Sequence, residues 1–362
     1  MDFLPFTRPS LDEQTIAEVG DVLRSGWLTS GPKVQALEAR LSEYFGGRPV
    51  RTFNSGTCTM EIALRIAGIG PGDEVITTPN SWVATANVII EVGATPVFAD
   101  IDARTHNIDL DKAAAAITPR TKAIIPVHMS GLPCDMDKLY ALAKKHDLRV
   151  VEDAAQAFGA PGAAQQGAIS TFSFYPTKNL FCLGDGGLVA TSDEELADRV
   201  KMLAFHGSRD KTEFDFVGYN SRLDELQAGM LRIFLQQVDG WNRGRREAAA
   251  RYGELGLGEL VELPQDEPGH IYHLFVCRSP ERDRIRAALS EAKIGSATYY
   301  TTPLHLQPAL RFLGYEAGSL PETERVAEVN FSVPLWPGMP VEAQERVVDV
   351  VRSAVGVGAP AA

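Results

Sequence analysis

The run Ser173-Phe174-Tyr175-Pro176-Thr177-Lys178-Asn179 sets a lysine five residues after a serine, at the end of an apolar stretch. Upstream, Val150-Val151-Glu152-Asp153-Ala154-Ala155-Gln156 ends another apolar stretch on a carboxylate. A lysine can form an imine with an aldehyde, a carboxylate can hold a ring nitrogen protonated, and hydroxyl and amide donors can bind a phosphate. Pyridoxal phosphate needs that combination. Taken singly, each residue has a plainer reading. Lys178 would be a surface lysine. Asp153 would be the N-cap of the following turn, with Gln156 as the third residue of its capping box.

Other segments can complete such a site. Asn54-Ser55-Gly56-Thr57 lies between an expected strand and an expected helix. Gly56 would let the backbone approach a phosphate, and the helix start would offer free amides. Thr57 and Ser173 add hydroxyls. Trp82 can stack on a ring face, or simply fill the core. Gly68-Ile69-Gly70-Pro71-Gly72 follows a helix and precedes a strand, the wrong order for a dinucleotide loop, so it reads as a turn. His270 and His273 lack further ligand spacing and read as structural, leaving no expected metal site. Gly184-Asp185-Gly186-Gly187 reads as a hairpin turn near Lys178.

These residues require a scaffold with several strand ends. Strands are expected at 50–53, 74–78, 95–99, 123–127, 150–152 and 170–174. Helices are expected at 11–25 (capped by Ser10), 34–45, 57–67, 82–92 and 135–146. This alternation predicts an α/β domain with a mostly parallel sheet, helices on both faces, and ligands beyond the carboxyl ends of the strands. After about residue 242 the alternation loosens, with helices at 243–255, 281–292 and 341–355. The division is therefore a large domain, 1–245, and a small C-terminal α+β domain, 246–362, whose last residues, 356–362, read as disordered.

The 362 residues suffice for two such domains, and their composition is that of an ordinary globular chain. A net charge of −12 disfavours sequence-independent binding to nucleic acid or anionic membrane. The four cysteines are scattered, the N-terminus has no signal-peptide pattern, and no apolar run is long enough to span a bilayer. Together these point to a cytoplasmic setting. Asn330-Phe331-Ser332 matches a glycosylation site by letter only.

The chain resembles the DegT/DnrJ/EryC1/StrS family of sugar aminotransferases, of fold type I among pyridoxal-phosphate enzymes. The likeness runs through Gly26-Trp27-Leu28-Thr29-Ser30-Gly31-Pro32-Lys33, Asn54-Ser55-Gly56-Thr57, Gly70-Pro71-Gly72-Asp73-Glu74-Val75-Ile76, the Asp153 and Lys178 runs, Gly218-Tyr219-Asn220-Ser221-Arg222-Leu223 and Pro303-Leu304-His305. It implies that Lys178 carries the cofactor, Asp153 pairs with the pyridine nitrogen and Gln156 meets the ring hydroxyl. Gly56, Thr57 and Ser173 would hold the phosphate, and Trp82 would stack on the ring. Asn220 would reach the cofactor of a second subunit, making a homodimer obligatory. Lys33, Tyr299, Tyr300 and His305 would line a nucleotide-sugar site.

Two departures stand out. The stretch between Gly159 and Thr171 is shorter than usual in the family and reads Ala160-Pro161-Gly162-Ala163-Ala164-Gln165-Gln166, which would alter the rim of the site. Cys58 stands where a small or acidic residue is common. The resemblance implies transfer of an amino group from L-glutamate to a dTDP- or UDP-linked ketosugar, at C4 in preference to C3. Alternatives are a ketocyclitol acceptor and a cofactor-binding sensor without turnover. A family dehydratase is disfavoured, because those replace the lysine with histidine.

Overall fold

The computed structural model describes residues 2–164 and 169–356. Two helices open the chain, α1 (Glu13–Ser25) and α2 (Pro32–Tyr44). Strands and helices then alternate as β1 (Val50–Phe53), α3 (Gly56–Ile66), β2 (Glu74–Thr77), α4 (Ala84–Glu91), β3 (Thr95–Phe98), α5 (Leu110–Ala115), β4 (Thr121–Ile125), α6 (Met136–His146) and β5 (Arg149–Asp153). Strands β6 (Ile169–Ser173) and β7 (Gly187–Thr191) follow, then helices α7 (Glu194–Ala204), α8 (Glu225–Phe234) and α9 (Val238–Glu254). The chain ends with β8 (Phe275–Arg278), α10 (Arg282–Glu291), α11 (Pro321–Val329), β9 (Asn330–Val333) and α12 (Val341–Val355).

Among the described residues the main sheet has seven strands in the order β1-β7-β6-β5-β4-β2-β3. Strands β3, β2, β4, β5 and β6 pair in parallel, while β7 runs antiparallel to both β6 and β1. The strand sequences explain why both faces are covered. Val75, Ala123, Ile125, Val151 and Val189 point into one core layer with residues of α3, α4 and α7. Ile76, Ile124 and Val150 point the other way, onto α5 and α6. A period of two with apolar residues at both phases is what a sheet buried on both faces demands.

Several local expectations are corrected. Asp12, not Ser10, caps α1, its carboxylate accepting from the Thr15 amide at 2.9 Å. Helix α4 begins at Ala84, so Trp82 lies in the loop before it. A turn rather than a helix follows Asp153, which removes the N-cap reading. Strands β6 and β7 form an antiparallel pair, but a loop of residues 174–186 joins them instead of a tight hairpin. The sequence reading missed α5, β7, α7, α8, α11 and β9. Asn330-Phe331-Ser332 lies in buried β9. Of the expected disordered tail, 357–362 fall outside the described residues.

The small two-stranded sheet of β8 and β9 packs with Ala248, Ala249 and Tyr252 of α9 and with α10 and α12. Val238 and Trp241, earlier in α9, pack with the large sheet's core. We propose on this packing that the division between domains falls inside α9, near residue 245. Leu4 pairs with Ile294, so the N-terminal residues join the small layer. No helix among the described residues is long and apolar enough to cross a membrane.

Candidate active site

The carboxyl ends of β1, β2, β5 and β6 open toward one edge of the sheet. Strand β1 ends at Phe53, and Ser55 caps α3 by accepting from the Cys58 amide at 3.2 Å. The amides of Gly56 and Thr57, in the first turn, have no intrahelical acceptor. Gly56 is demanded by crowding. A Cβ there would sit 2.7 Å from the Ser173 Cβ and 3.1 Å from its Oγ. From the other side, a Cβ on Gly187 would lie 2.9 Å from the Ser55 carbonyl. The sheet thus holds Ser173 against a helix start with unpaired donors, the arrangement that binds a phosphate.

Asp153, at the end of β5, is 5% exposed. Its Oδ2 accepts from the Thr85 hydroxyl at 2.9 Å and its Oδ1 from the Ala155 amide at 3.2 Å. Since Thr85 spends its proton on Asp153, the Ser81 hydroxyl, 2.7 Å away, must donate to Thr85. Alternation along β5 sends the neighbouring Glu152 elsewhere, to Tyr140 and the Ala164 amide. Gln156 does not form a capping box. Its Oε1 accepts from the Ser130 amide at 2.8 Å. Trp82 is 64% exposed, with its ring 6.4 Å from that of Tyr300. Burial, Tyr299 and then Asp153 push the Tyr300 phenol above its usual range, so it stays protonated.

Lys178 sits in the loop between β6 and β7, which closes on itself through Lys178 N to Tyr175 O and Cys182 N to Phe174 O, both 2.8 Å. Burial lowers its amine to about 8, opposed by the attraction of Asp153. Desolvation therefore wins over the nearby negative charge, leaving a large neutral fraction at mildly basic pH. The adjacent Asn179 is anchored to Asn242 of α9 and to His273.

The remaining expected residues are held by other contacts. Lys33 Nζ pairs with Glu18, and its amide donates to Glu225, within the α1, α2 and α8 layer. His305 is buried, with Nε2 3.0 Å from Glu324; its turn is tied to the Trp82 loop through Leu304 N to Pro79 O. Asn220 is exposed and accepts from Arg222 at 2.6 Å, while Ser221 donates to Asn54 at 2.6 Å. In the described part of the short segment, 159–164, Ala160, Ala163 and Ala164 are buried in the core while Pro161 is exposed. Gln165 and Gln166 lie outside the described residues. His270 accepts from the Tyr272 amide, and among the described residues no group of three or more potential ligands is placed to hold a metal.

Sequence reasoning missed Thr85, Ser81, Asn179, Asn242 and the role of His273 in the loop contacts. A hydroxyl pair four residues apart in the β2–α4 segment was a signal for the first two. The others left no local trace.

Residues 9–352 match the DegT/DnrJ/EryC1/StrS aminotransferase family. The chain belongs to this family. It is 43% identical over 350 residues to a pleiotropic regulatory protein of Geobacillus stearothermophilus, covering 94% of each chain. It is 41% identical to dTDP-3-amino-3,4,6-trideoxy-alpha-D-glucose transaminase of Streptomyces venezuelae, covering 94% of this chain and 92% of that one. It is 42% identical to UDP-N-acetyl-3-dehydro-alpha-D-glucosamine 3-aminotransferase of Acidithiobacillus ferrooxidans, covering 94% of each.

Among solved structures, S. venezuelae DesV in complex with a ketimine intermediate superposes with a TM-score of 0.94 at 39% identity, over 98% of this chain and 99% of that one. The PLP form of a Streptococcus pneumoniae sugar aminotransferase matches with a TM-score of 0.91 at 30% identity, over 98% and 99%. This family member is a pyridoxal-phosphate-dependent transaminase of the fold type I architecture, related to enzymes that aminate nucleotide sugars. The glycine-lined helix start, the buried carboxylate and the depressed amine fit that cofactor.

Proposed function

We propose that this transaminase moves an amino group from L-glutamate to the ketone of a nucleotide-linked ketodeoxysugar. The observation that carries the reading is the pairing of a buried Asp153 with a desolvated Lys178 beside the open start of α3. The residues at 26–33 and Trp82 resemble C4-acting members. The relatives at 41% and 42% identity bear names of C3 chemistry, one on a dTDP and one on a UDP sugar, so C3 is the first position to test.

When bound, pyridoxal phosphate supplies a ring that stabilises negative charge at the substrate carbon. The protein's residues do the rest. Gly56 and Thr57 amides with the Ser173 hydroxyl would hold the phosphate, and Trp82 would lie against the ring. Asp153, oriented by Thr85, would keep the pyridine nitrogen protonated, and Gln156 would contact the ring hydroxyl. The Lys178 amine, when free, would take a proton from the donor's α-carbon and hand it to the cofactor, and in the second half-reaction would carry one to the acceptor's former carbonyl carbon. Burial lowers this amine, so that its neutral, proton-accepting form becomes accessible near pH 8.

Lys33, Tyr299, Tyr300 and His305 are assigned to the nucleotide-sugar side. Asn220 is assigned to the phosphate of a second copy's cofactor. Exposed apolar side chains support a homodimer: Val217 is 97% exposed, Phe214 60% and Trp27 57%. A cytoplasmic setting accords with four unpaired cysteines, three of them buried.

The test is a panel of 3-keto and 4-keto dTDP and UDP sugars plus a ketocyclitol, each with L-glutamate and with other amino acids. An amino sugar formed at glutamate's expense supports the reading. Product from the cyclitol alone would overturn the sugar acceptor, and a protein that binds cofactor but turns over none of the panel would favour a sensor.

A further inference from the structure

His273 is held from three directions. Its own carbonyl and that of Tyr272 accept from Arg245 Nη1 of α9 at 3.3 and 3.2 Å. Its neighbours Ile271 and Leu274 donate to the carbonyls of Gly131 and Ser130 at 3.0 and 3.4 Å. That turn also carries the Ser130 amide bound to Gln156. The approach is so close that a Cβ on Gly131 would stand 3.0 Å from the His273 nitrogen and 3.1 Å from the Gln156 carbonyl. His273 therefore joins the Gln156 side of the site to the Lys178 side, where its Nδ1 lies 3.0 Å from Asn179 Oδ1.

The proton on that ring follows from one unambiguous acceptor. The Phe158 carbonyl can only accept, so the Asn242 group 3.1 Å from it is the amide Nδ2. Asn242 Oδ1 then faces Asn179 at 2.7 Å and must receive its Nδ2. This turns Asn179 Oδ1 toward His273, and an acceptor there requires a proton on Nδ1. The titratable and charged groups around the ring are Lys178 from the β6–β7 loop, Arg245 from α9, and Tyr299 across a cavity of about 20 Å³ that also touches Thr177. No described carboxylate makes a hydrogen bond or ion pair with His273. Burial, and then the positive charges of Lys178 and Arg245, hold its basicity well below the usual range.

We propose that His273 is a positioning residue for Lys178: a neutral imidazole protonated on Nδ1, donating to Asn179 and so fixing the adjacent lysine backbone opposite Asp153. The proposal rests on the reading that Lys178 carries the cofactor. A neutral donor suits the place, because an imidazolium would add a second positive charge beside the lysine without a carboxylate to balance it.

Two variants and one spectrum test it on the full-length holoenzyme. His273→Leu keeps bulk and removes the donor. His273→Asn keeps a neutral donor near the position of Nδ1. The leucine variant should lose about tenfold in kcat, the scale of one buried hydrogen bond, with KM for both substrates little changed. It should also shift the pH midpoint of the cofactor's visible absorption band. The asparagine variant should recover most of both.

Equal impairment in the two variants, or an unchanged kcat and midpoint in the leucine variant, would overturn the proposal. Nitrogen-15 spectra of labelled histidine, in holoenzyme and in protein stripped of cofactor, should show His273 neutral with the proton on Nδ1. A proton on Nε2, or a charged ring at neutral pH, would sink it even if both variants failed to fold. Lys178→Ala separates the two readings. Retained colour and turnover there would refute the role of Lys178, whatever the histidine spectrum shows.

Discussion

Asp153, Thr85, Gln156, Ser173 and Gly56 are tied together by adjoining strand ends and the loops that leave them, and Lys178 hangs from the next loop of the same sheet. Lys33 and His305, expected on the nucleotide-sugar side, and Asn220, expected at a second subunit's cofactor, are engaged with Glu18, Glu324 and Arg222. The difference is one of what sets each position. The first group is placed by sheet register within one chain. The second lies on helices, turns and an exposed loop whose partners for function would be a substrate or a second copy. The residues proposed for cofactor chemistry are thus placed largely by one sheet, whereas those proposed for the substrate and for a second copy lie on other elements.

The largest expected effect is at the first group. Lys178→Ala should abolish turnover and the visible band of the bound cofactor, read by absorbance and by product assay; a variant with full activity ends the assignment. Asp153→Asn should cost about 100-fold or more in kcat, the scale of removing a preorganised charge at the reacting group. Thr85→Val, which only releases one oxygen of that carboxylate, should cost about tenfold. If the valine variant matches the asparagine variant, orientation rather than charge is what Asp153 provides.

The comparison is sharpened by mixing subunits. Lys178→Ala and Asn220→Ala are each expected to be inactive or weak alone. Co-expressed, they should form mixed dimers with one wild-type site, provided Asn220 serves the partner. Activity no greater than the sum of the separate variants would place Asn220 at its own chain's site or at none.

Gly56→Ala should lower cofactor affinity and thermal midpoint together, since the added methyl meets Ser173 at 2.7 Å. Overpacking of this kind costs about 1–3 kcal/mol. A variant with normal melting and normal cofactor affinity would show that the helix start is not the phosphate cradle.

A smaller effect concerns pH. Only the neutral amine can attack the cofactor's aldehyde, and burial brings Lys178 down to about 8. Cofactor uptake by the stripped protein should therefore rise with pH and level off above about 8. Continued rise to the ordinary lysine range would mean that the desolvation seen in the structure is relieved in solution.

Much of the first group was legible in the chain. Asp153 ends an apolar strand, Lys178 follows another, and Gly56 stands where a strand turns into a helix; such signals are local and repeat the period of the backbone. Thr85 was not legible as the partner of Asp153, because 68 residues separate them and nothing in either segment names the other. The same holds for His273 and Asn179, 94 residues apart. In the shortened segment, the burial of Ala160, Ala163 and Ala164 in the core was likewise not legible from the sequence.

The order of residue types by itself determined the fold class, the family and the cofactor chemistry, because strand ends, helix starts and a lysine after a strand are written in short stretches. Only the tertiary structure decided which hydroxyl holds Asp153 in place and which way the Asn179 amide turns. Those depend on hydrogen-bond direction across elements distant in sequence, and a donor chooses its acceptor only once packing has brought the two within reach.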